Sequence, residues 1–273
     1  MSRDDRPAVR FAIIGDVEPK PEPTFAWLPR IVETINGRHR ENRFDFVAGV
    51  GDVARNGTIP QYEGATAALV DLEPPFHTIM GNEELEASEE RFFEYATRWN
   101  DDPKTVPDVQ YVKAYGGYRF VFASPLIRGR SFTDDQLDWF VERLDEAPKT
   151  PAIGFVHTAP QDVLPEGRSM IDRRFDRVLE HPSLRVVFHG HSHIDVGEYA
   201  MHGTDDWGTD HLHVSGVERT KAGKGHISRF PIVHIHADGT GQFRYYNVER
   251  DEFEPDLELE LELHEPRASS RSR

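Results

Sequence analysis

Cysteine is absent from the 273 residues. Disulfides and thiolate metal sites are thereby excluded, and any bound metal must rest on His, Asp, Glu or Asn. Long apolar runs are missing too. No stretch approaches the roughly 20 residues needed to span a bilayer. The run after the charged segment Met1 to Arg10 is Phe11-Ala12-Ile13-Ile14, too short for a signal-peptide core. The expectation is a cytoplasmic protein with no membrane partner. Positive charge is in short supply: 32 Lys and Arg stand against 48 Asp and Glu, a net charge of -16. That balance argues against broad electrostatic binding to nucleic acid or anionic lipid. Lysine is scarcest, six residues against 26 Arg, an imbalance that genome composition or salt adaptation explains as well as function does.

What is present can build a core. Hydrophobic residues make up 37% with 17 Phe, while 29% charged residues point to a soluble globular chain. The informative residues run from position 16 to 193 without a linker, so one domain over 1–265 is preferred to two. From Pro266 the Arg/Ser composition predicts a disordered tail, 266–273.

Apolar runs alternate with helical patterns along the first two thirds. Val9–Ile14 reads as a buried strand ending in Gly-Asp. Thr24–Arg43 places Phe25, Leu28, Ile31, Val32 and Ile35 at helical spacing, with Asn36-Gly37 as a breaker. A strand over Phe44–Val50 ends at Gly51-Asp52, a helix follows over Gln61–Leu72, and a strand over Phe76–Met80 ends at Gly81-Asn82. This alternation predicts an α/β sheet with crossover connections. Beyond it come a helix over Ser88–Trp99 and a hairpin over Tyr111–Ser124 turning at Gly116-Gly117. A helix opened by the capping box Thr133 to Gln136 follows. Then come a strand over Ala152–Val156, a helix over Ser169–Glu180 and a strand over Leu184–Phe188. The last third, with runs at His211–Val214, Ile232–His236 and Gln242–Tyr246, reads as antiparallel strands and hairpins. Leu257–Leu263 alternates Leu with Glu, as an edge strand or an extended charged segment.

Five of the predicted strands end in a side chain able to bind metal: Asp16, Asp52, Asn82, His157, and His191 with His193. In α/β sheets ligand sites gather at the carboxyl ends of the strands. A single Gly-Asp is usually a turn, and a lone His157 is usually a satisfied histidine. Order and spacing together favour metal. A dinuclear hydrolytic site needs a carboxylate that bridges two ions, holding them about 3.5–4 Å apart so that one hydroxide sits between them. Neutral imidazoles leave enough positive charge for the ions to act on phosphoryl oxygens. Carboxylate, amide and imidazole suit Mn, Fe, Zn or Mg.

The blocks Gly15-Asp16-Val17-Glu18, Gly51-Asp52-Val53-Ala54-Arg55-Asn56-Gly57, Gly81-Asn82-Glu83-Glu84, Phe155-Val156-His157 and Gly190-His191-Ser192-His193 together resemble the calcineurin-like metallophosphoesterase family. The resemblance spans about positions 9 to 216. The segment Thr133–Leu144, with Gln136 and Trp139, is similar to the helix before the fourth block in the phosphodiesterase and purple-phosphatase-like branches. It implies a two-sheet αββα sandwich and two divalent metal ions, manganese first among the candidates. Asp16 and His193 would bind the first metal, Asp52 would bridge, and Asn82, His157 and His191 would bind the second. His191 to Asp195 also begins like the metallo-β-lactamase signature, but Val196 stands where that signature needs His.

Two positions depart from the family pattern. Glu18 replaces its first-block histidine and can still ligate, shifting preference toward harder ions such as Mn or Mg. Glu83 replaces its third-block histidine, which stabilises the transition state or protonates the leaving group. A glutamate there repels phosphate unless it holds a proton. Among the remaining histidines, His189 is expected to face away from the site. Arg55 and Asn56 are equally readable as phosphate contacts or as a solvated loop.

The expected activity is hydrolysis of a phosphodiester or phosphomonoester, with Asn82 and Glu83 as the catalytic residues and a small phosphate ester as the substrate. The alternative is a homologue that keeps metal and has lost turnover, acting as a binding or regulatory module.

Overall fold

The computed structural model describes residues 7–127, 130–164 and 172–263. The tail expected over 266–273, and residues 169–171 of the helix expected at Ser169, lie outside them.

Two six-stranded sheets face each other. The first runs β12-β11-β10-β1-β2-β3 and the second β4-β5-β6-β7-β9-β8. In the first, β1 (Val9–Ile14), β2 (Phe46–Gly49) and β3 (Phe76–Thr78) are parallel, and β10 (Arg229–Ile235) pairs antiparallel with β1. β11 (Thr240–Asn247) and β12 (Glu252–Glu262) extend that side, so the Leu/Glu alternation at the end of the chain is an edge strand. In the second, the hairpin of β4 (Gln110–Tyr115) and β5 (Tyr118–Ala123) turns on Gly116 and Gly117, both at positive φ (55 and 87). β6 (Ala152–Phe155), β7 (Leu184–His189) and β9 (Asp210–His213) continue parallel to β5. The architecture is the αββα sandwich expected.

Aromatic rings fill the space between the sheets. Phe11 stacks on Phe46 at 4.8 Å and Phe122 on Phe155 at 4.5 Å. Offset and edge-on pairs of this kind add to the area they bury. On the outer face of the second sheet, α4 (Asp134–Asp145) and α5 (Asp176–Leu179) pack Leu137, Phe140, Leu144, Val178 and Leu179 over Val121, Ala152, Leu184 and Val187. Both arms of the capping box at Thr133 and Gln136 are formed. α1 (Leu28–Glu41), α2 (Ile59–Leu69) and α3 (Glu89–Ala96) contribute to the main core. Among the described residues no helix is long and apolar enough to cross a membrane.

Two local expectations are corrected. Asn36-Gly37 does not end α1, which continues to Glu41. The Asn36 side chain is buried and ties the helix to the connection before β3, donating to Asp71 O and accepting from Glu73 N, and these bonds offset its poor helix propensity. The last third is not wholly antiparallel: β9 lies parallel to β7. The connection between them contains β8 (His202–Thr204), which pairs antiparallel with β9. Asp205 accepts from the backbone N–H of Trp207 and Thr209 and closes that turn.

Candidate metal centre

The carboxyl ends of the parallel strands converge where the two sheets meet. An isolated parallel bridge joins Gly15, after β1, to Gly216, after β9. Asp16, Asp52, Asn82, His157, His191 and His193 all leave strand ends in this region. Four of them, Asp16 (φ 46), Asp52 (φ 53), His191 (φ 68) and His193 (φ 49), adopt the left-handed backbone region. Each such non-glycine residue costs about 1–2 kcal/mol, and strain of this kind concentrates at functional sites.

The side chains form two groups of mutually close ligand atoms. One is Asp16, Glu18, Asp52 and His193; the other is Asp52, His157 and His191. Asp52 belongs to both. In the first group His193 Nε2 lies 3.4 Å from Asp16 Oδ1 and 3.3 Å from Glu18 Oε1. In the second, His157 Nε2 lies 3.3 Å from Asp52 Oδ2, 3.1 Å from His191 Nδ1 and 3.2 Å from Asn82 Oδ1. His157 Nδ1 faces Val50 O at 2.8 Å, so that nitrogen carries hydrogen and Nε2 is left for the cluster.

The residues fit a pair of divalent cations. Asp16 Oδ2 and Glu18 Oε2 are buried without a hydrogen-bond partner, and Asp52 Oδ2 has only His157 Nε2 near it, at 3.3 Å. Buried carboxylate oxygens without partners are costly, and a cation removes the cost. The donor set of carboxylate, amide and imidazole is that of a hard or borderline metal. Close backbone approach completes the cradle: a Cβ on Gly190 would come within 2.6 Å of Asp16 Oδ2, and one on Gly81 within 2.8 Å of His157 Cε1.

A family description, calcineurin-like phosphoesterase, matches residues 9–195. The chain belongs to this family. Its fold is similar to that of GAP50, the anchor in the inner membrane complex of Plasmodium, at 13% identity and a TM-score of 0.68, covering 95% of this chain and 90% of that one. It is similar also to the purple acid phosphatase PPD1 from yellow lupin seeds, at 16% identity and a TM-score of 0.64. There the match covers 93% of this chain but 53% of the phosphatase, about half its length. A third likeness is to the sulfate thiohydrolase SoxB of Thermus thermophilus, at 10% identity, a TM-score of 0.54, and 94% and 60% of the two chains. No curated protein matches in sequence. At these identities the likeness is one of fold.

Within the family frame, Glu83 joins neither group of ligand atoms. Its half-buried carboxylate accepts from Asn56 N, and its own N–H donates to Asp52 Oδ1. Arg55 reaches Pro21 O. His189 lies at the end of β7, buried, with its ring beside those of His213 and His211. None of these three histidines enters either group.

Two residues of the site escaped the sequence reading. Glu84 is fully buried and accepts three backbone N–H bonds: Asp52 at 3.0 Å, Ala54 at 2.8 Å and Gly81 at 2.7 Å. It stands in the third block, and that place was the only available signal. Arg219 donates to Glu18 Oε1 and has no motif of its own.

The electrostatics of the metal-free centre make a pH prediction. Burial, reinforced by Asp52, raises Glu18 and Glu84 from 4.5 to about 8, against the opposing pull of Arg219 on Glu18 and of the Ala54 and Gly81 N–H groups on Glu84. Burial also raises Asp16 from 3.8 to about 6. Burial acts on Asp52 in the same direction, but His157 and its hydrogen bonds outweigh it and hold Asp52 well below the carboxylate range. For His157 burial opposes protonation, and Asp52 nevertheless lifts it to about 10. A raised carboxyl keeps its proton when folded at a pH where the unfolded chain has lost it. Its contribution is therefore full below its ordinary pKa and disappears as pH rises through the raised one. The contribution of His157 is full below 6.5 and fades toward its raised value. Burial lowers His191 and His193 to about 2 and about 4, and they oppose the trend only below 6.5. The metal-free protein is thus expected to lose stability, on the order of 2 kcal/mol, between pH 6.5 and 8. Metal competes with protons for these atoms, so the rise in Tm on adding Mn should grow by roughly 5 °C over that window. Thermal scans with EDTA and with Mn at both pH values check it. A flat or shrinking increment would show that the ion rests on other atoms.

Proposed function

We propose that this phosphoesterase-family chain is an active hydrolase of a small phosphodiester or phosphomonoester, working with two divalent ions of which Mn fits the donor set best. The observation that carries this reading is the membership of Asp52 in both groups of buried ligand atoms. Asp16, Glu18, Asp52 and His193 would hold one ion; Asp52, Asn82, His157 and His191 would hold the other. Bound there, the metals supply Lewis acidity at the phosphoryl oxygens and lower the pKa of water. The chain's own groups do the positioning. Val50 O fixes the tautomer of His157, and the Glu83 N–H fixes the rotation of the Asp52 carboxylate. The Asn82 side chain places its carbonyl oxygen toward His157 and offers its amide N–H to a phosphoryl oxygen. The proton for the leaving group would come from Glu83 or from water. The net charge of -16 favours a small ester over a polyanion.

A second reading has one specific observation behind it. Glu83 is an acidic side chain beside the bridging aspartate, and Asn56 holds its carboxylate. A module that binds metal without turnover would look the same. The fold itself serves both a phosphatase and an anchor among its likenesses. Hydrolysis of a chromogenic phosphodiester and monoester by the Mn-loaded wild type, beside Glu83→His, separates the two. Wild-type turnover supports the enzyme. A silent wild type beside an active Glu83→His supports the module, and two silent proteins with Mn bound would overturn the hydrolase reading altogether.

A further inference from the structure

Arg219 lies against atoms that face the first group of ligands. Its Nη2 donates to Glu18 Oε1 and sits 3.4 Å from His193 Nε2. Its carbonyl faces His193 Nδ1 at 3.4 Å, an arrangement that places the ring hydrogen on Nδ1 and the lone pair on Nε2. The guanidinium therefore meets a carboxylate oxygen and an imidazole lone pair at once, as an entering metal ion would.

The reason for a cation here is charge. Asp16, Glu18 and Asp52 are each at most 1% exposed. Three buried carboxylates repel one another, and each is costly without a counter-charge. Guanidinium keeps its proton at all ordinary pH values and has no lone pair of its own to offer a metal. The backbone brings it to this place firmly: Val217 N bonds Gly15 O, and Lys221 N bonds His193 O at 2.8 Å. The side chain is held less firmly, because Arg219 Nε is buried without a partner. Among the described residues no Arg or Lys side chain bonds the side chains of Asp52, His157 or His191; Lys221 Nζ reaches that half only at the backbone carbonyl of His191, 3.4 Å away. The two halves of the centre are thus unequal.

We propose that Arg219 is a resident cation of the first half-site which a metal ion must displace, so that the two halves load in sequence. The half built from Asp52, Asn82, His157 and His191 fills first. The half built from Asp16, Glu18, Asp52 and His193 fills second and more weakly. This deepens the two-metal reading above and rests on it.

Calorimetric titration of Mn into the metal-stripped full chain tests the proposal. Wild type should show two steps at least tenfold apart in affinity, and Arg219→Met should tighten the weaker step at least tenfold. Lys224→Met removes the same formal charge from an exposed amine paired with Glu198 and should leave both steps in place. A variant-free check is the Mn electron paramagnetic resonance spectrum of wild type at one equivalent, expected to be that of isolated ions. Two equal sites in wild type, a spin-coupled spectrum at one equivalent, or an Arg219→Met protein whose weaker step is unmoved or weakened would each overturn the proposal. Turnover at saturating Mn is a separate readout, and a chain that binds no Mn at all would instead sink the two-metal reading itself.

Discussion

Asp52→Asn is expected to abolish turnover, by at least about 1,000-fold at saturating Mn, while leaving a folded protein. Loss of about 4 kcal/mol of transition-state stabilisation gives a factor of this size. The argument is geometric. Asp52 Oδ1 accepts from Glu83 N, and Oδ2 faces His157 Nε2 from its buried, otherwise unpartnered position. An asparagine keeps an oxygen for the Glu83 N–H but presents an amide where the second oxygen stood, and the shared charge is gone. Both groups of ligand atoms contain Asp52, so one substitution weakens both halves, whereas a change at His191 or Asp16 touches one. Metal content by mass spectrometry should fall from two equivalents to one or none. Two retained equivalents with turnover within tenfold of wild type would remove Asp52 from the bridging position.

Much of this arrangement could be read from the chain because it depends on local chemistry. Parallel strands bring their carboxyl ends to one side, so the polar residues after β1, β2, β3, β6 and β7 were bound to meet once the strands were recognised. The capping box at Thr133 and the Gly116-Gly117 turn follow equally local rules. What was not legible depends on distant partners. The left-handed backbone at Asp16, Asp52, His191 and His193 is not announced by residue type: Asp and His enter that region more often than other side chains do, yet at most positions they stay out of it. Asn36-Gly37 looked like a helix end because its reward, two bonds to the connection before β3, lies 35 and 37 residues away. Glu18 and Arg219 are 201 residues apart, and neither identifies the other in sequence. The direction of β9 was lost because β8 hides within the connection before it.

The same limit hid Glu84, and the second large effect is expected there. Its two oxygens take the N–H groups of Asp52, Ala54 and Gly81, so a single carboxylate holds together the turns that carry Asp52 and Asn82. Glu84→Ala leaves three buried N–H groups without an acceptor, at a cost of about 3–5 kcal/mol. In a domain of this size that corresponds to a fall in Tm of roughly 10 °C. Mn affinity should fall as well, because the Asp52 turn loses its tether. Glu84→Gln is the informative partner. One amide oxygen can still accept from both Asp52 and Gly81, while the amide N–H₂ meets Ala54 N–H donor to donor. Its cost should therefore lie between wild type and Glu84→Ala. Equal losses for Gln and Ala would mean that negative charge, not acceptance of three N–H bonds, is what the position supplies. A Glu84→Ala protein within 1 kcal/mol of wild type would show that the turns hold without it. The graded result would identify Glu84 as the group that positions Asp52.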